Sequence, residues 1–321
     1  MSQCPEMSVL STSPILLCSL TFNLTICLAA LPILIWANYK LWSMSFSKLF
    51  HLNFRLVAQV NLFGFIIHCT GRSILHTIDL INYMTLEPCD MVPNIYRCFV
   101  LRFMYNCGIW LTTASIIPYI VERWLATTWS KSYEHSSKHF GILLMSIASI
   151  PLSFLYYGTR FEGVKMYYCV VVQSGSPRLA QVSAILGIVA QAISRIAFSY
   201  LLMKNKNLRR NLSLSLSNRY QIEQNVSSMR CLKVLANINT IYLIIQNAGF
   251  FWLLCFAAKI PPQNYYALSE MNATYPLFSI LTVLIMSKTV NRVRSNTRKN
   301  LDAHLKTDNE VYFKILKKQL N

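Results

Sequence analysis

The stretch CFVLRFMYNCGIWLTTASIIPYIVERW, residues 98–124, is an apolar segment with reactive or charged side chains at both of its ends. Cys98 opens the segment, and Glu122 and Arg123 close it. The run of about 25 residues from Cys98 to Arg123 measures roughly 37 Å as an α-helix, which is enough to cross a hydrocarbon core of about 30 Å. The stretch therefore predicts a membrane-spanning helix with Cys98 at one face and Arg123 at the other.

Six more apolar stretches of similar length accompany this one along the 321-residue chain. The predicted spans are residues 15–37, 52–75, 98–122, 139–158, 179–203, 234–258 and 266–287. Charged residues make up only 13% of the chain, against roughly a quarter in an ordinary soluble domain, so there is too little polarity to coat a soluble globule. The sequence predicts an all-α membrane protein built as a seven-transmembrane helix bundle.

The distribution of positive charge predicts the orientation of this bundle. About two thirds of the 30 Lys and Arg residues fall in the first, third and fifth connections and after the last span. By the positive-inside rule, the N-terminus is expected outside and the C-terminus in the cytoplasm. The predicted organisation is a short extracellular N-terminus (1–14), a seven-transmembrane receptor domain (15–287) and a basic cytoplasmic tail (288–321).

The net charge of +18 raises the question of a nucleic-acid partner. Because the basic residues flank the spans, anionic headgroups are the nearer partner, and we expect membrane lipid and no nucleic acid. In the tail, Val290 and Val293 followed by further basic residues predict a short helix lying on the membrane.

The two ends of the third span predict different chemistry. In an oxidising compartment Cys98 can bond to Cys169 in the fourth connection and tie that loop over the mouth of the bundle. Cys89 is also predicted outside and is an alternative partner for Cys169, in which case Cys4 is available to the cysteine left over. Which of Cys89 and Cys98 pairs with Cys169 stays open at this stage.

At the other end, Glu122 and Arg123 form an adjacent carboxylate and guanidinium. Such a pair can be held in a closed bundle and released to meet a partner when the helices move apart, although an arginine at a helix end also snorkels to the interface. The cysteine and the Glu-Arg pair, a full span apart on the third of seven helices, together favour a seven-helix receptor.

Several motifs carry a resemblance to a known family. They are Glu122-Arg123-Trp124-Leu125-Ala126-Thr127, SKSYE at 130–134, SLSNRYQIEQN at 215–225 and CDMVPNIYRCFVLRF at 89–103. In these the chain resembles the nematode serpentine chemoreceptors of the Sra superfamily, most of all the Sra or Srab type, with Srb and Sre as neighbouring alternatives.

The resemblance implies a G-protein-coupled receptor of chemosensory neurons, located in the plasma membrane as a multi-pass protein and in sensory cilia. It implies two partners, a small-molecule ligand outside and a heterotrimeric G protein inside. The matching motif before span six adds Arg219 and Tyr220 to Glu122 and Arg123 as candidate G-protein coupling residues. The chain departs from rhodopsin-like receptors because span seven, from Tyr275, has no Asn-Pro-x-x-Tyr motif.

Polar and aromatic side chains within the spans are candidates for a ligand pocket, because polar groups are costly there. The candidates are Arg102, Asn106, Gln191, Asn247, Trp252 and Tyr275.

Two other membrane functions are alternatives to a receptor. A seven-span ligand-gated ion channel of the insect-receptor kind has its N-terminus inside, which would place most of the basic residues outside the cell. A small-solute transporter needs an acidic residue at mid-membrane for ion coupling, whereas Glu122 and Glu270 are near span ends. No nucleophile–base pair, phosphate-binding glycine loop or metal-ligand spacing is present in the sequence, so we expect neither enzyme activity nor a cofactor or metal.

Overall fold

The computed structural model describes residues 4–43, 50–92, 95–129, 177–209, 216–256 and 259–320. The helices in these ranges are α1 (Cys4–Ser11), α2 (Pro14–Leu41), α3 (Leu52–Thr85), α4 (Ile95–Ala114), α5 (Ile116–Thr128), α6 (Pro177–Arg209), α7 (Leu216–Phe256), α8 (Pro262–Asn272) and α9 (Tyr275–Leu320). The predicted fourth span, residues 139–158, and Cys169 lie outside the described residues.

Each predicted span is helical where the chain is described, but α3, α7 and α9 extend well beyond the predicted spans, and the predicted seventh span, 266–287, is broken between α8 and α9. Within those ranges, four segments are long and apolar enough to cross a membrane by length and composition: Pro14–Leu41, Leu52–Thr85, Ile222–Leu253 and Pro262–Asn296. The predicted third span is formed by α4 and α5, and the predicted fifth span lies within α6.

The third span is interrupted at Ser115, and the cause is local. Pro118 has no amide hydrogen, so it cannot donate to the carbonyl of Ala114 one turn earlier. The helical path nevertheless continues, because Ser115 donates to Leu111 O at 3.1 Å and accepts from Tyr119 N at 3.2 Å. The span therefore reaches from one face of the bundle to the other with only a local break.

Helices α3 and α4 pack closely because glycines face each other between them. A Cβ atom built on Gly108 would lie 2.7 Å from the Cβ of His68, and one built on Gly64 would lie 2.8 Å from Cγ2 of Thr112. Asn61 adds a side-chain hydrogen bond of 3.1 Å to the Thr112 carbonyl. Small residues and interhelical hydrogen bonds are the usual means of holding helices together in a membrane.

The burial pattern is the reverse of that in a soluble protein. Large apolar side chains face outward, including Ile196 at 71% and Ile245 at 67% exposure, while Arg72 and Arg123 are 2% and 0% exposed. A bundle whose solvent is lipid has no reason to hide apolar groups and must satisfy its charged groups internally.

The last helix differs from the prediction of a separate surface helix after the final span. Helix α9 is continuous from Tyr275 to Leu320, and Val290 and Val293 are buried at 7% and 5% exposure in the apolar core. The prediction of a short helix on the membrane surface is wrong, because these valines pack against α3, α5 and α7 residues instead. The proposed division between a receptor domain and a tail at 287 stays a prediction.

Candidate functional site

Three polar sites lie within the bundle, and the first surrounds Arg123, at the end of the third span. We call Glu122, Arg123, Thr127, Asn205 and Asn225 the Arg123 cluster. The guanidinium of Arg123 is fully buried and ion-paired with the carboxylate of the adjacent Glu122, which is also fully buried. It also donates to Oδ1 of Asn225 on α7 at 3.1 Å. Asn225 in turn donates to the carbonyl of Ala126 at 3.0 Å, so it bridges α5 and α7 twice.

Two further contacts fasten this end of α5 to its neighbours. Asn205 on α6 donates to the hydroxyl of Thr127 at 2.8 Å. The guanidinium carbon of Arg123 lies 5.3 Å from the ring centroid of Phe54 on α3, in cation–π range. Phe54 packs on Tyr119 with ring centroids 5.4 Å apart. Four helices therefore meet around this end of α5, and Arg123 is fully buried among the residues that the structure describes.

The second site is a buried charged cluster toward the Cys98 end of the bundle. We call Arg72, His76, Arg102 and Glu270 the Glu270 cluster. The carboxylate of Glu270 is shared by Arg72 at 2.7 Å and Arg102 at 3.0 Å, and all three residues are buried. Arg72 also donates through Nε to Nε2 of His76 at 2.9 Å. One carboxylate thus holds together α3, α4 and α8.

The cluster also completes the broken end of α8. Pro276 lacks an amide hydrogen, and the chain between α8 and α9 leaves carbonyl groups without helical partners. Arg72 donates to the carbonyls of Ala273 and Glu270, and Asn23 of α2 donates to that of Glu270 at 3.0 Å. A cation at the C-terminal end of a helix is also favoured by the helix dipole. Arg72 therefore pairs with Glu270 and caps α8 at once.

The third site is a small cavity at middle depth, which we call the Gln191 cavity. Its described lining is Asn61, Phe65, Thr112, Thr113, Gln191, Asn239, Tyr242, Leu243, Tyr275 and Phe278. Gln191 is fully buried, and among the residues that the structure describes neither its amide nitrogen nor its amide oxygen has a hydrogen-bond partner. The ring of Tyr275 lies 4.8 Å from that of His68, next to the Glu270 cluster. The cavity is thus walled by hydrogen-bonding groups close to that cluster.

The structure distributes the six predicted pocket residues over different surroundings. Gln191 and Tyr275 meet in the Gln191 cavity, while Arg102 belongs to the Glu270 cluster. Asn106 and Asn247 are half-buried and are not among the residues lining the cavity. Among the described residues Trp252 is 53% exposed on α7, beside Phe256 and not at the Gln191 cavity, and its role in a pocket stays a prediction.

Two predicted coupling residues, Arg219 and Tyr220, are described in backbone only. The predicted disulfide partner Cys169 lies outside the described residues. Arg219 and Tyr220 lie near the start of α7, and their role in coupling stays a prediction. Cys4 and Cys89 form a disulfide. Cys98 is disulfide-bonded as well, to a residue outside the described ranges. With Cys89 bonded to Cys4, the pairing of Cys98 with Cys169 is retained as a prediction.

Sequence reasoning missed Glu270, Arg72 and Asn225 as site residues. The available signal was charge balance, since Arg72 and Arg102 lie in two different spans and need an acidic partner at the same depth. Glu270 was set aside because it is near a span end, but α8 brings it into the bundle. Asn225 belongs to the 215–225 motif, and no pattern in the sequence pairs it with Arg123.

A helical membrane bundle whose third span ends in a buried Glu-Arg pair locked to neighbouring helices has the architecture of a heptahelical receptor. The sequence profile of the family described as "Serpentine type 7TM GPCR receptor class ab chemoreceptor" matches residues 1–321, and the chain belongs to this family. The predicted seven-transmembrane fold and the resemblance to nematode serpentine receptors are confirmed, and the family consists of receptors and not enzymes.

Relatives from nematodes support the same assignment. The chain is 24% identical over 276 residues to serpentine receptor class beta-16 of Caenorhabditis elegans, covering 80% of this chain and 78% of that protein. It is 27% identical over 223 residues to serpentine receptor class alpha/beta-14 of the same organism, covering 66% of this chain but 56% of that relative. Serpentine receptor class alpha-10 of Caenorhabditis briggsae is 22% identical over 84% of this chain and 83% of its own length. The protein is therefore a multi-pass membrane protein of the chemosensory receptor class.

Proposed function

We propose that this receptor binds an external small molecule in the Cys98 half of the bundle and signals to a heterotrimeric G protein at the Arg123 end. The observation that carries the proposal is the Arg123 cluster, in which a fully buried arginine is shared between Glu122 and Asn225. A buried cation held across two helices is a two-state element, because separating α5 from α7 breaks the Arg123–Asn225 bond and exposes the Glu122–Arg123 pair, which stays on α5, to a partner.

The ligand site that we propose lies at the Gln191 cavity, whose volume of about 10 Å³ holds no more than about one water molecule, so a ligand enters only when the surrounding helices move apart. A buried amide without hydrogen-bond partners costs about 1–3 kcal/mol, and a ligand with one donor and one acceptor removes that cost. Tyr275 and Thr113 line the same cavity, where the Thr113 hydroxyl already donates to the Ile109 carbonyl at 2.8 Å and can accept from such a ligand. Arg102 is left out of the pocket, since an acidic ligand would have to compete with Glu270 for it. We propose a small, uncharged, polar molecule as the ligand.

Orientation and location complete the proposal. The Arg123 end is the cytoplasmic end by the positive-inside rule, with the N-terminus outside the cell. The family relationship supports the plasma membrane of chemosensory neurons, and we propose their cilia as the site of action. A transporter is not favoured, because the buried Glu270 is already engaged by two arginines and is not available for ion coupling.

The test uses ligand-independent coupling, so it needs no known ligand. Asn225→Ala removes a hydrogen bond to a charged group, worth about 1.5–3 kcal/mol, and should raise the basal open population by about 10- to 100-fold. Arg123→Ala should abolish basal and evoked coupling. Both are measured by energy transfer between subunits of co-expressed G proteins, with surface delivery read from an N-terminal epitope tag.

Asn237→Ala is the matched control, because Asn237 lies on the same helix roughly 18 Å from Asn225, and its Oδ1 has no hydrogen-bond partner among the described residues. It should couple as the unaltered receptor does. Normal coupling by a surface-delivered Arg123→Ala variant would remove Arg123 from the mechanism. Unchanged basal coupling in Asn225→Ala would show that the bond across α5 and α7 is not the switch.

A further inference from the structure

A cavity larger than the Gln191 cavity lies at the Arg123 end of the bundle. It has a volume of about 310 Å³ and lies between α2, α3, α7 and α9, which puts it at the lower limit of roughly 300–1,000 Å³ for small-molecule sites. Its inner wall is apolar and buried, and includes Phe50, Phe54, Leu232, Leu235 and Val290. We call it the α2–α9 cavity.

The mouth of this cavity is cationic. Among its lining residues Lys40 of α2 and Arg294 of α9 are exposed, and Trp36 is 47% exposed beside them. The Lys40 ammonium lies 5.7 Å from the Trp36 ring centroid. Basic residues and tryptophan together are typical of the depth at which lipid headgroups meet the hydrocarbon.

The surface around the mouth of the cavity exposes large apolar side chains, as a lipid-facing surface does. Ile35 is 60% and Tyr39 is 75% exposed on the turns of α2 that flank the mouth, so the opening continues a lipid-facing surface. An apolar cavity of this kind admits an acyl chain, and two cations at headgroup depth favour a negative charge at the end of that chain.

We propose that the α2–α9 cavity binds one acyl chain of an anionic phospholipid, whose headgroup is held by Lys40 and Arg294. The lipid comes from the bilayer leaflet at the Arg123 end. The cavity shares Asn61 and Phe65 with the lining of the Gln191 cavity, but the proposal does not depend on which ligand or G protein the receptor uses.

The position of the cavity gives a bound chain a direct structural effect. Phe54 and Tyr119 both line the cavity, and Phe54 is the ring that stacks on Arg123. An acyl chain in the cavity therefore supports Phe54 from the side opposite Arg123 and stabilises the closed cluster.

The test is photolabelling of the full-length receptor in phosphatidylcholine nanodiscs that contain a small fraction of phosphatidylserine with a diazirine near the end of one acyl chain. Peptide mapping by mass spectrometry should find the label on buried wall residues of α3 and α7, such as Phe54 and Leu235. Lys40→Gln with Arg294→Gln should reduce this labelling by about tenfold. Ala58→Phe, which fills the cavity from its wall, should abolish it.

The matched control is Lys288→Gln with Arg292→Gln, which removes the same charge from α9 at residues that do not line the cavity. It should label as the unaltered receptor does. A phosphatidylcholine probe that labels the cavity walls equally would refute anion recognition. Label confined to exposed residues such as Ile35 would mean that only annular lipid binds, which would refute the site. Labelling by photoreactive dodecanoate but not by the phospholipid would show that the bound chain belongs to a free fatty acid and not to a bilayer phospholipid. A titration of phosphatidylserine against the thermal midpoint of the unaltered receptor, expected to rise and saturate, tests the site without any variant.

Discussion

Replacing Glu270 by glutamine should destabilise the receptor more than any single loss of surface charge. The substitution keeps the shape of the side chain but removes the negative charge that Arg72 and Arg102 share. Breaking a buried ion pair by removing one partner costs about 3–5 kcal/mol. Arg72 keeps the carbonyls of Glu270 and Ala273, so we expect the lower part of that range. At about 2–4 °C per kcal/mol, the thermal midpoint should fall by on the order of 10 °C.

The assay is thermal unfolding of the purified receptor with a thiol-reactive fluorescent dye. Four free cysteines are buried and become reactive only on unfolding: Cys27, Cys69, Cys107 and Cys231. Glu87→Gln, at an exposed carboxylate, is the control and should leave the midpoint unchanged. The double variant Glu270→Gln with Arg102→Gln should recover part of the loss, because it removes one of the two cations. A midpoint for Glu270→Gln close to that of the unaltered receptor would show that the cluster does not hold the bundle together.

Three further expectations concern the rest of the bundle. Gly108→Ala should lower the thermal midpoint more than Gly71→Ala. The new Cβ would clash with the Gly64 carbonyl oxygen in the first case and lie 3.0 Å from the Met104 Cβ in the second, and overpacking costs about 1–3 kcal/mol; the opposite order would contradict the close approach of α3 and α4. Non-reducing peptide mapping should recover one peptide pair that contains Cys98 and Cys169, and recovery of Cys169 as a free thiol would rule out this pairing. Epitope tags at the two termini should be stained from opposite sides of intact cells, with the N-terminal tag outside; staining of both from one side would overturn the orientation.

The sequence predicted the helices well because the length and polarity of a span are properties of the chain itself. Arg123 and Glu122 were placed correctly at the end of the third span for the same reason, since one helix fixes their depth. Gln191 and Tyr275 were both identified from the cost of a polar group in a membrane.

What the sequence did not predict depends on how the helices are rotated and where they break. Trp252 was chosen by its residue type alone, and among the described residues its side chain is 53% exposed. Glu270 enters the bundle only because the chain breaks before Tyr275, and Asn225 meets Arg123 only because α7 extends well beyond its apolar part. Such contacts join residues on different helices. The periodicity of one helix carries no information about how that helix is rotated about its own axis relative to its neighbours.

The length of α9 has a consequence for measuring the receptor's movements. Its 46 residues make a rod of about 69 Å, of which a membrane covers only about 30 Å. A tilt of about 10° at the bilayer surface carries the far end sideways by roughly 7 Å, because a rigid rod magnifies rotation in proportion to its length. A fluorophore fused after Leu320 therefore lies at the far end of α9. There, a small tilt of the membrane-spanning part becomes a displacement that optical methods can resolve.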